Sequence, residues 1–261
     1  MSNGTMIVKR DGTKEPLNID KIHFVVEEAC KNLAGVSSSQ IEMNANLQFY
    51  DNMSTAEIQE ILVRSANDLI SLDAPNYQFA AARLLSYGLN KQVFDRYEPI
   101  TLSEMIEANI QRGLYDPEIL EWYTQEEIER LDSYIHHKRD ENFTYAGLRQ
   151  VVDKYLVQDR SSGQIFETPQ FMYMMIAATL FAQYPKETRM HYVRRYYDST
   201  SLFKINIPTP VMAGVRTPVR QFASCVLVDS DDTLDSIFAS DMSIGRYTAQ
   251  RAGIGINAGR I

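Results

Sequence analysis

The first fifty residues combine short apolar runs with turn signals in a pattern that predicts a small sheet and a helix. Residues 6–10 and 13–17 flank an Asp-Gly pair, a strong signal for a β-hairpin. Apolar positions on one helical face predict a helix from about residue 18 or 20 to residue 34, ended by Gly35. Alternating apolar side chains over residues 41–49 predict a third strand.

Two further helices are predicted in the same region. Ser54-Thr-Ala-Glu57 has the spacing of a capping box, and an amphipathic helix follows it. A second helix is predicted to begin near Asp73 and Pro75 and to reach about Tyr97. Residues 1–97 are therefore predicted to form one region, a three-stranded cap with three helices.

Residues 98–204 are predicted to form a second, mostly helical region. Two more capping boxes, Thr101–Glu104 and Thr124–Glu127, mark helix starts. A surface hairpin is predicted within residues 154–167, and an apolar, buried helix over residues 170–183 follows it.

Residues 205–261 predict the beginning of a parallel sheet. The prolines and the glycine at the start of this region are expected to exclude regular structure and to fix a loop path: Pro208, Pro210, Gly214 and Pro218. Strands are predicted over 222–228 and 253–257, with a helix between them that Asp232 or Thr233 caps and that runs to about Arg251.

Parallel sheets are buried on both faces and need several strands with covering helices. Two strands leave apolar faces and backbone groups without partners. We therefore hypothesise that the chain is a fragment that completes its sheet with another polypeptide.

Composition narrows the class of protein. The chain has 261 residues, with 34 acidic and 26 basic side chains and a formal net charge of −8, which argues against broad binding of duplex nucleic acid. Two cysteines cannot form a disulfide framework, so a reducing compartment is expected. No secretory signal is evident, and the longest apolar run, Phe171–Ala182, is too short to span a bilayer.

Several residue types could carry chemistry, but spacing alone leaves their roles open. Cations and helix starts suited to a triphosphate occur at Lys9, Arg10, Lys21, Thr55 and Lys91, and the alternative is that they are solvated surface residues. The sequence lacks a P-loop motif.

The remaining candidates give weaker signals. Gly253-Ile-Gly-Ile-Asn-Ala fits a dinucleotide-binding pattern, but its glycines lie within a predicted strand, so close approach of backbones is the better interpretation. Cys225 and Cys30 each read as a single small apolar side chain, and the isolated histidines predict no metal site. The tyrosines near residue 196 are expected to pack in the core and at its rim.

Longer motifs carry a resemblance to a known family. The segments at 208–225 (PTPVMAGVRTPVRQFASC) and 250–257 (QRAGIGIN) closely resemble the large subunit of aerobic, class Ia ribonucleotide reductase, and so do shorter segments at 8–12, 74–78 and 154–157. The resemblance implies an N-terminal ATP cone over 1–97, a helical domain over 98–204, and the first strands of an incomplete ten-stranded α/β barrel over 205–261, a mixed α+β to α/β chain.

The resemblance also implies three sets of site residues. Residues of the cone that contact ATP or dATP correspond to Lys9, Arg10, Glu15, Asn18, Lys21, Thr55 and Lys91. Residues that hold the ribonucleoside diphosphate correspond to Thr209, Ser224, Cys225, Ala252 and Gly253, with Cys225 as one of two reducing thiols. Residues that contact the dNTP specificity effector correspond to Asp232, Thr233 and Leu234.

One departure from the family pattern concerns regulation. Gln59 and Gly88 stand where cones commonly have histidines, which bears on inhibition by dATP rather than on activation by ATP.

By the same resemblance, the expected activity is reduction of ribonucleoside diphosphates for DNA precursor synthesis, in the cytoplasm, without nucleic acid or membrane as partner. The expected partners are a chain with the C-terminal part of the large subunit, a small radical-generating subunit with a diiron-tyrosyl radical, and thioredoxin or glutaredoxin. The remaining reducing and radical-forming cysteines, and any metal, are expected outside this chain. The alternatives are a free-standing ATP- or dATP-binding module without catalysis, and a truncated piece of a longer chain.

Overall fold

The computed structural model describes residues 5–250 and 252–261, so the first four residues of the predicted cone and Arg251, the predicted end of a helix, lie outside the described residues. The chain forms two compact units, one comprising residues up to Ile100 with His136–Gln170 and the other comprising Thr101–Ile135 with Phe171–Ile261. The boundaries predicted near residues 97 and 204 stay predictions.

The first unit combines a three-stranded sheet, helices and a small hairpin. Its elements are β1 (Met6–Val8), β2 (Lys14–Pro16), α1 (Ile19–Cys30), α2 (Ser38–Asn46), β3 (Met53–Ser54), α3 (Thr55–Asn67), α4 (Tyr77–Phe94), a 3-10 helix (His137–Asn142), α8 (Tyr145–Lys154), β4 (Gln158–Asp159) and β5 (Gln164–Ile165).

The second unit is helical and ends in a parallel strand pair. Its elements are α5 (Leu102–Gln111), α6 (Ile119–Trp122), α7 (Gln125–Asp132), α9 (Pro169–Phe181, which begins in the first unit), α10 (Lys186–Ser201), α11 (Thr209–Gly214), β6 (Cys225–Asp229), α12 (Leu234–Ala249) and β7 (Gly253–Asn257).

The predicted hairpin is confirmed, and β1 is the central strand of its sheet. Ile7 pairs with Glu15 of β2 in antiparallel register and with Met53 of β3 in parallel register. Gly12 adopts φ 83° in the turn, a conformation that costs glycine little.

The predicted third strand over 41–49 is wrong, because these residues form helix α2. The Ser37 hydroxyl accepts a hydrogen bond from the Gln40 backbone N–H and so caps that helix. Ile41 and Ala45, four residues apart, face the core, whereas Met43 and Leu47 are exposed. The alternating apolar positions therefore include two residues that also have the i, i+4 spacing of one helical face. The actual third strand of the cap is β3.

The predicted helix starts are confirmed by their caps. Asn18 caps α1, and the three predicted capping boxes are present at Ser54, Thr101 and Thr124. Helix α1 ends at Cys30, earlier than predicted.

The second unit is built around the apolar helix α9, as its composition predicts. Residues 171–178 of this helix are almost completely buried. The Tyr123 hydroxyl donates to the Ala178 carbonyl at 2.8 Å. Arg189, only 3% exposed, pairs with Glu127 and stacks over the Tyr123 ring at 4.3 Å.

The expectation that residues 208–218 contain no regular structure is wrong in part. Thr209–Gly214 form the short helix α11, with Pro208 as its N-cap. Pro210 is tolerated because the first backbone N–H groups of a helix have no partner within it.

The predicted strand-helix-strand arrangement is confirmed. Strands β6 and β7 pair in parallel, with Cys225 opposite Gly253 and Asp229 opposite Asn257. The Thr233 hydroxyl caps α12 by accepting from the Ser236 backbone N–H. Among the described residues, no helix combines the length and the apolar character needed to cross a membrane.

The buried Glu127–Arg189 pair predicts an unequal effect of two similar substitutions. We expect Glu127→Ala to destabilise the second unit by about 3 kcal/mol, because the change removes capping contacts of α7 and leaves the Arg189 guanidinium without its carboxylate. Glu104→Ala removes the same kind of capping contacts from α5 and is expected to cost about 1 kcal/mol. Urea unfolding monitored by circular dichroism measures both values, and equal losses would contradict the argument.

His23 predicts a pH dependence of stability in the first unit. Its ring lies 2.8 Å from Glu42 and 3.1 Å from Glu27, and the hydrogen bond with Glu42, followed by the charges of Glu42, Glu27 and Asp20, raises the pKa of His23 above 6.5. This contribution is present below pH 6.5 and is lost as the pH rises through the folded-state pKa.

We therefore expect His23→Gln to lower the stability of the first unit at about pH 6 and to have little effect near about pH 9, with the ionic strength held constant. Thermal unfolding across this range provides the measurement. His191→Gln, in the second unit, is the control and is expected to leave this dependence intact. A His23→Gln effect that does not change with pH would show that the pair is not the cause.

Candidate functional site

A large cavity lies within the first unit, between the helices predicted for the cone and a wall from later in the chain. Helices α3 and α4 form one side, and α8 with the β4–β5 hairpin forms the other. The volume is about 930 Å³, within the range of small-molecule sites. Four basic side chains line it: Arg10, Arg64, Lys91 and Arg149. Acidic side chains also line it, so an anionic ligand would have to pair selectively with the cations.

Two of the predicted nucleotide contacts, Arg10 and Lys91, line this cavity. The Arg10 guanidinium donates to the Gly88 carbonyl at 3.4 Å, which brings the hairpin side chain to helix α4. The Lys91 ammonium lies 4.2 Å from the centre of the Tyr97 ring. Cationic side chains of this kind bind phosphate through charge-assisted hydrogen bonds.

Gln59 and Gly88, which depart from the family pattern, are in contact in the wall of the cavity. Gln59 Nε2 donates to the Leu84 carbonyl at 2.6 Å. A Cβ atom added at Gly88 would lie 2.8 Å from Gln59 Cγ, so any larger residue at 88 requires Gln59 to move. The two positions are therefore packed as a pair.

Lys9, Glu15, Asn18 and Lys21 form a separate group at the β-hairpin and the start of α1 and are not among the residues that line the cavity. Lys9 Nζ lies 2.6 Å from Glu15, and Lys21 Nζ lies 3.8 Å from the same carboxylate. The hydrogen bond between Lys9 and Glu15 lowers the pKa of Glu15 and raises the pKa of Lys9.

A phosphate bound at this second group would have to compete with Glu15 for Lys9. Thr55, the remaining predicted contact of the cone, is the first residue of α3. The structure thus divides the predicted contacts of the cone between the cavity and the hairpin.

A second candidate site lies at the amino ends of the parallel strands in the second unit. Cys225 begins β6, is exposed, and stands opposite Gly253. The Gly253 backbone N–H donates to the Ser224 carbonyl at 2.8 Å, and Ala252 precedes it in a buried position. Four of the five predicted substrate contacts are therefore neighbours.

Thr209, the fifth predicted substrate contact, is the first residue of α11. The other end of that helix, Gly214, approaches the segment that leads to Cys225: a Cβ atom there would lie 3.6 Å from both Phe222 Cε1 and the Val219 carbonyl. The helix that begins at Thr209 therefore approaches this segment at its Gly214 end.

Asp232, Thr233 and Leu234, the predicted specificity residues, lie beyond the carboxyl end of β6. Four residue steps along that strand separate Cys225 from Asp229, about 13 Å at strand geometry. Arg260 lies 2.9 Å from Asp229 and 3.4 Å from Asp231 at this end. Two different ends of one strand pair therefore carry the two predicted sites.

Cys30, the second cysteine, is a poor partner for redox chemistry. It is half-buried in α1 of the first unit, and burial raises the pKa of its thiol to about 11. No group of three metal-ligating side chains occurs in the part of the chain that the structure describes.

Sequence reasoning missed Arg64 and Arg149, which line the cavity with Arg10 and Lys91. Both are basic residues at helical positions that the sequence pattern places on a solvent-exposed face. Arg149 pairs with Asp153 four residues later, as in an ordinary solvated helix. Their sequence positions carry no signal that α8 faces α3 and α4.

Two family models match separate segments of the chain. Residues 5–92 match the family model described as the ATP cone domain, and residues 141–220 match the model described as the ribonucleotide reductase all-alpha domain. These two matches cover the segments on either side of the cavity.

Individual relatives match over almost the whole chain. Ribonucleoside-diphosphate reductase 1 subunit alpha is 49% identical in Escherichia coli and 50% identical in Salmonella typhimurium, each over 261 residues, or 100% of this chain and 34% of the relative. Ribonucleoside-diphosphate reductase subunit alpha of Enterobacteria phage T4 is 42% identical over 257 residues, or 98% of this chain and 34% of that subunit.

The chain spans about a third of the length of these curated relatives. Its identity to them extends through the cone, the helices and the β6–β7 pair. The chain belongs to the family of class Ia ribonucleotide reductase large subunits and corresponds to an amino-terminal portion of such a subunit.

Proposed function

We propose that this chain supplies the allosteric cone and the first part of the catalytic barrel of an enzyme that reduces ribonucleoside diphosphates to deoxyribonucleoside diphosphates. The observation that carries the proposal is the exposed Cys225 thiol, held beside Ser224 and Gly253 at one end of a parallel strand pair. The names of the relatives support the reaction class.

The chemistry explains why Cys225 needs partners. Loss of the 2′-hydroxyl as water requires two electrons and two protons, and two thiols that close to a disulfide supply both. The two sulfurs must come within disulfide geometry, with Cα atoms roughly 4.4–6.8 Å apart. Cys30 belongs to helix α1 of the cone, where burial raises the pKa of its thiol, so we propose that the second thiol and the radical-forming cysteine come from the remainder of the large subunit.

The strand pair itself offers a surface for that remainder. Leu227 is 88% exposed and Ile256 58% exposed, and Phe238 and Met242 of α12 are also exposed. Parallel strands are normally covered on both faces, so we propose that further strands and helices of the barrel pack here. The radical comes from a small subunit, and thioredoxin or glutaredoxin returns the disulfide to thiols.

We propose that the cone takes a nucleotide effector in the cavity, with its phosphates at Arg10 and Lys91. Four lining cations favour an anion, and the volume of about 930 Å³ accommodates a nucleotide triphosphate. The packed Gln59–Gly88 pair replaces the common histidines, and we therefore expect ATP activation to be retained and inhibition by dATP to be weak.

Specificity effectors are proposed to bind at Asp232, Thr233 and Leu234, at the end of β6 away from Cys225. Backbone amides at the start of α12 suit phosphate oxygens, and the Asp232 carboxylate suits sugar hydroxyls. The site of action is proposed to be the cytoplasm.

Cys225→Ser is predicted to abolish multiple turnover in a complex of this chain with the remaining two thirds of a reductase large subunit and a radical-generating small subunit. The hydroxyl cannot form a disulfide, so the electrons for reduction are missing. Deoxyribonucleotide formation per enzyme gives the measurement, and co-elution in gel filtration confirms assembly.

Cys30→Ser is the matched control for that experiment, because it removes the other thiol of this chain from a half-buried position in the first unit. We expect it to retain turnover. Repeated turnover by Cys225→Ser, at the parent rate, would refute the assigned role. A complex that binds ATP but never reduces diphosphates would favour the regulatory module.

Arg10→Ala and Lys91→Ala are each predicted to weaken ATP binding to the 261-residue chain about tenfold, because each removes a charge-assisted contact worth about 1.4 kcal/mol or more. Isothermal titration calorimetry provides the dissociation constants. Lys31→Ala removes a cation that pairs with Glu28 outside the cavity and is expected to have no effect. Parent-like binding by Arg10→Ala and Lys91→Ala, with loss in Lys9→Ala, would place the nucleotide at the hairpin instead.

A further inference from the structure

The segment 215–224 connects α11 to β6 and carries Ser224 directly ahead of Cys225. Residues 215–217 are buried, whereas most of residues 218–224 are exposed, and the segment forms neither helix nor strand. Ordering each such residue costs conformational entropy. Anchors are therefore needed if Ser224 and Cys225 are to stay in one position.

Backbone hydrogen bonds anchor the two ends of this segment. Near its start, the backbone N–H and the hydroxyl of Thr217 both donate to the Gly214 carbonyl at 2.8 Å. At its end, the Ser224 carbonyl accepts from the Gly253 backbone N–H at 2.8 Å. The exposed middle lies between these two points.

Arg220 anchors the middle of the segment to a distant part of the second unit. Its Nη2 group donates to Asp116 Oδ2, 104 residues earlier in the chain, and lies 3.4 Å from Glu118 Oε2. The Asp116 side chain is 9% exposed, whereas those of Arg220 and Glu118 are about half exposed. A fully exposed ion pair contributes little to stability, but a nearly buried carboxylate left without its cation lowers stability more.

Asp116 is itself held in place by the backbone around it. Its N–H donates to the Arg216 carbonyl at 3.0 Å, and its Oδ1 accepts from the Glu118 N–H at 3.1 Å. The side chain therefore presents Oδ2 to Arg220 in a fixed orientation. Because Arg216 and Arg220 both belong to segment 215–224, Asp116 holds that segment at two points.

We infer that Asp116 and Arg220 are positioning residues, which hold the Ser224–Cys225 peptide where the ribonucleoside diphosphate binds; this inference rests on the proposed function of Cys225. The pair acts through segment 215–224 rather than by contact with the substrate. Asp116 lies in a region for which the sequence predicted no functional residue.

Amide hydrogen exchange on the 261-residue chain tests the structural half of this inference. Asp116→Asn keeps the amide oxygen for the Glu118 N–H but loses the charge that holds Arg220, and Arg220→Gln removes the other partner. We expect both to raise exchange about tenfold at the amides of Asp116, Thr217 and Gly253, whose hydrogen bonds hold segment 215–224, while leaving the first unit unchanged. Arg220→Lys, which keeps the charge, is expected to restore part of the protection, and Glu118→Gln is the near-neutral control.

Steady-state kinetics of the reconstituted reductase test the functional half. Asp116→Asn is expected to raise KM for the diphosphate about tenfold, because the Ser224–Cys225 peptide that binds it loses its position. A purely structural role would lower kcat through loss of folded enzyme and leave KM unchanged.

Unchanged exchange, or a parent-like KM in Asp116→Asn, would overturn the inference. If the parent complex reduces no diphosphate, the proposed function fails, but the exchange result still decides whether Asp116 and Arg220 hold segment 215–224.

Discussion

The parallel pairing of β6 with β7 is the constraint on which the candidate catalytic site depends. The absence of a side chain at Gly253 lets the two backbones approach at the end that carries Cys225, because a Cβ atom there would lie 3.3 Å from the Ser224 carbonyl. This register puts Cys225 beside Gly253 at one end and Asp229 beside Asn257 at the other. The residues proposed for reduction and those proposed for effector recognition therefore lie at opposite ends of one small element.

The same pairing leaves apolar side chains exposed on both of its strands. Leu227 and Ile256 are exposed on strands of a type that is normally buried on both faces. Under the proposed function, the exposed Cys225 thiol is one half of a dithiol, and the elements that cover the strand pair supply the other half. The first unit adds a cavity whose walls come from both matched family segments, so a bound effector would contact the cone and the residues that follow it.

Local signals in the sequence were sufficient for the hairpin, the capped helices and the parallel pair. Each depends on neighbours in the chain, as in the Ser54–Glu57 capping box. The prediction for residues 41–49 was wrong because Ile41 and Ala45 satisfy both a strand and a helix pattern. In the structure both side chains are buried in the core on one face of helix α2. Helix α11 was not predicted, because prolines usually exclude a helix, whereas Pro210 lies in the first turn, where a proline is tolerated. Arg149 in the cavity and Asp116 at segment 215–224 could not be predicted, because both depend on contacts between residues far apart in sequence.

The central claim is that the β6–β7 pair becomes a working site when the rest of the barrel covers it. Hydrogen exchange of residues 225–229 and 253–257, in this chain alone and with a polypeptide that carries the remaining two thirds of a reductase large subunit, tests that claim directly. The account predicts that the added polypeptide slows exchange in both strands and that, with the radical-generating small subunit also present, deoxyribonucleotide formation rises in proportion. Full activity of the mixture with no change in exchange at these strands would contradict it.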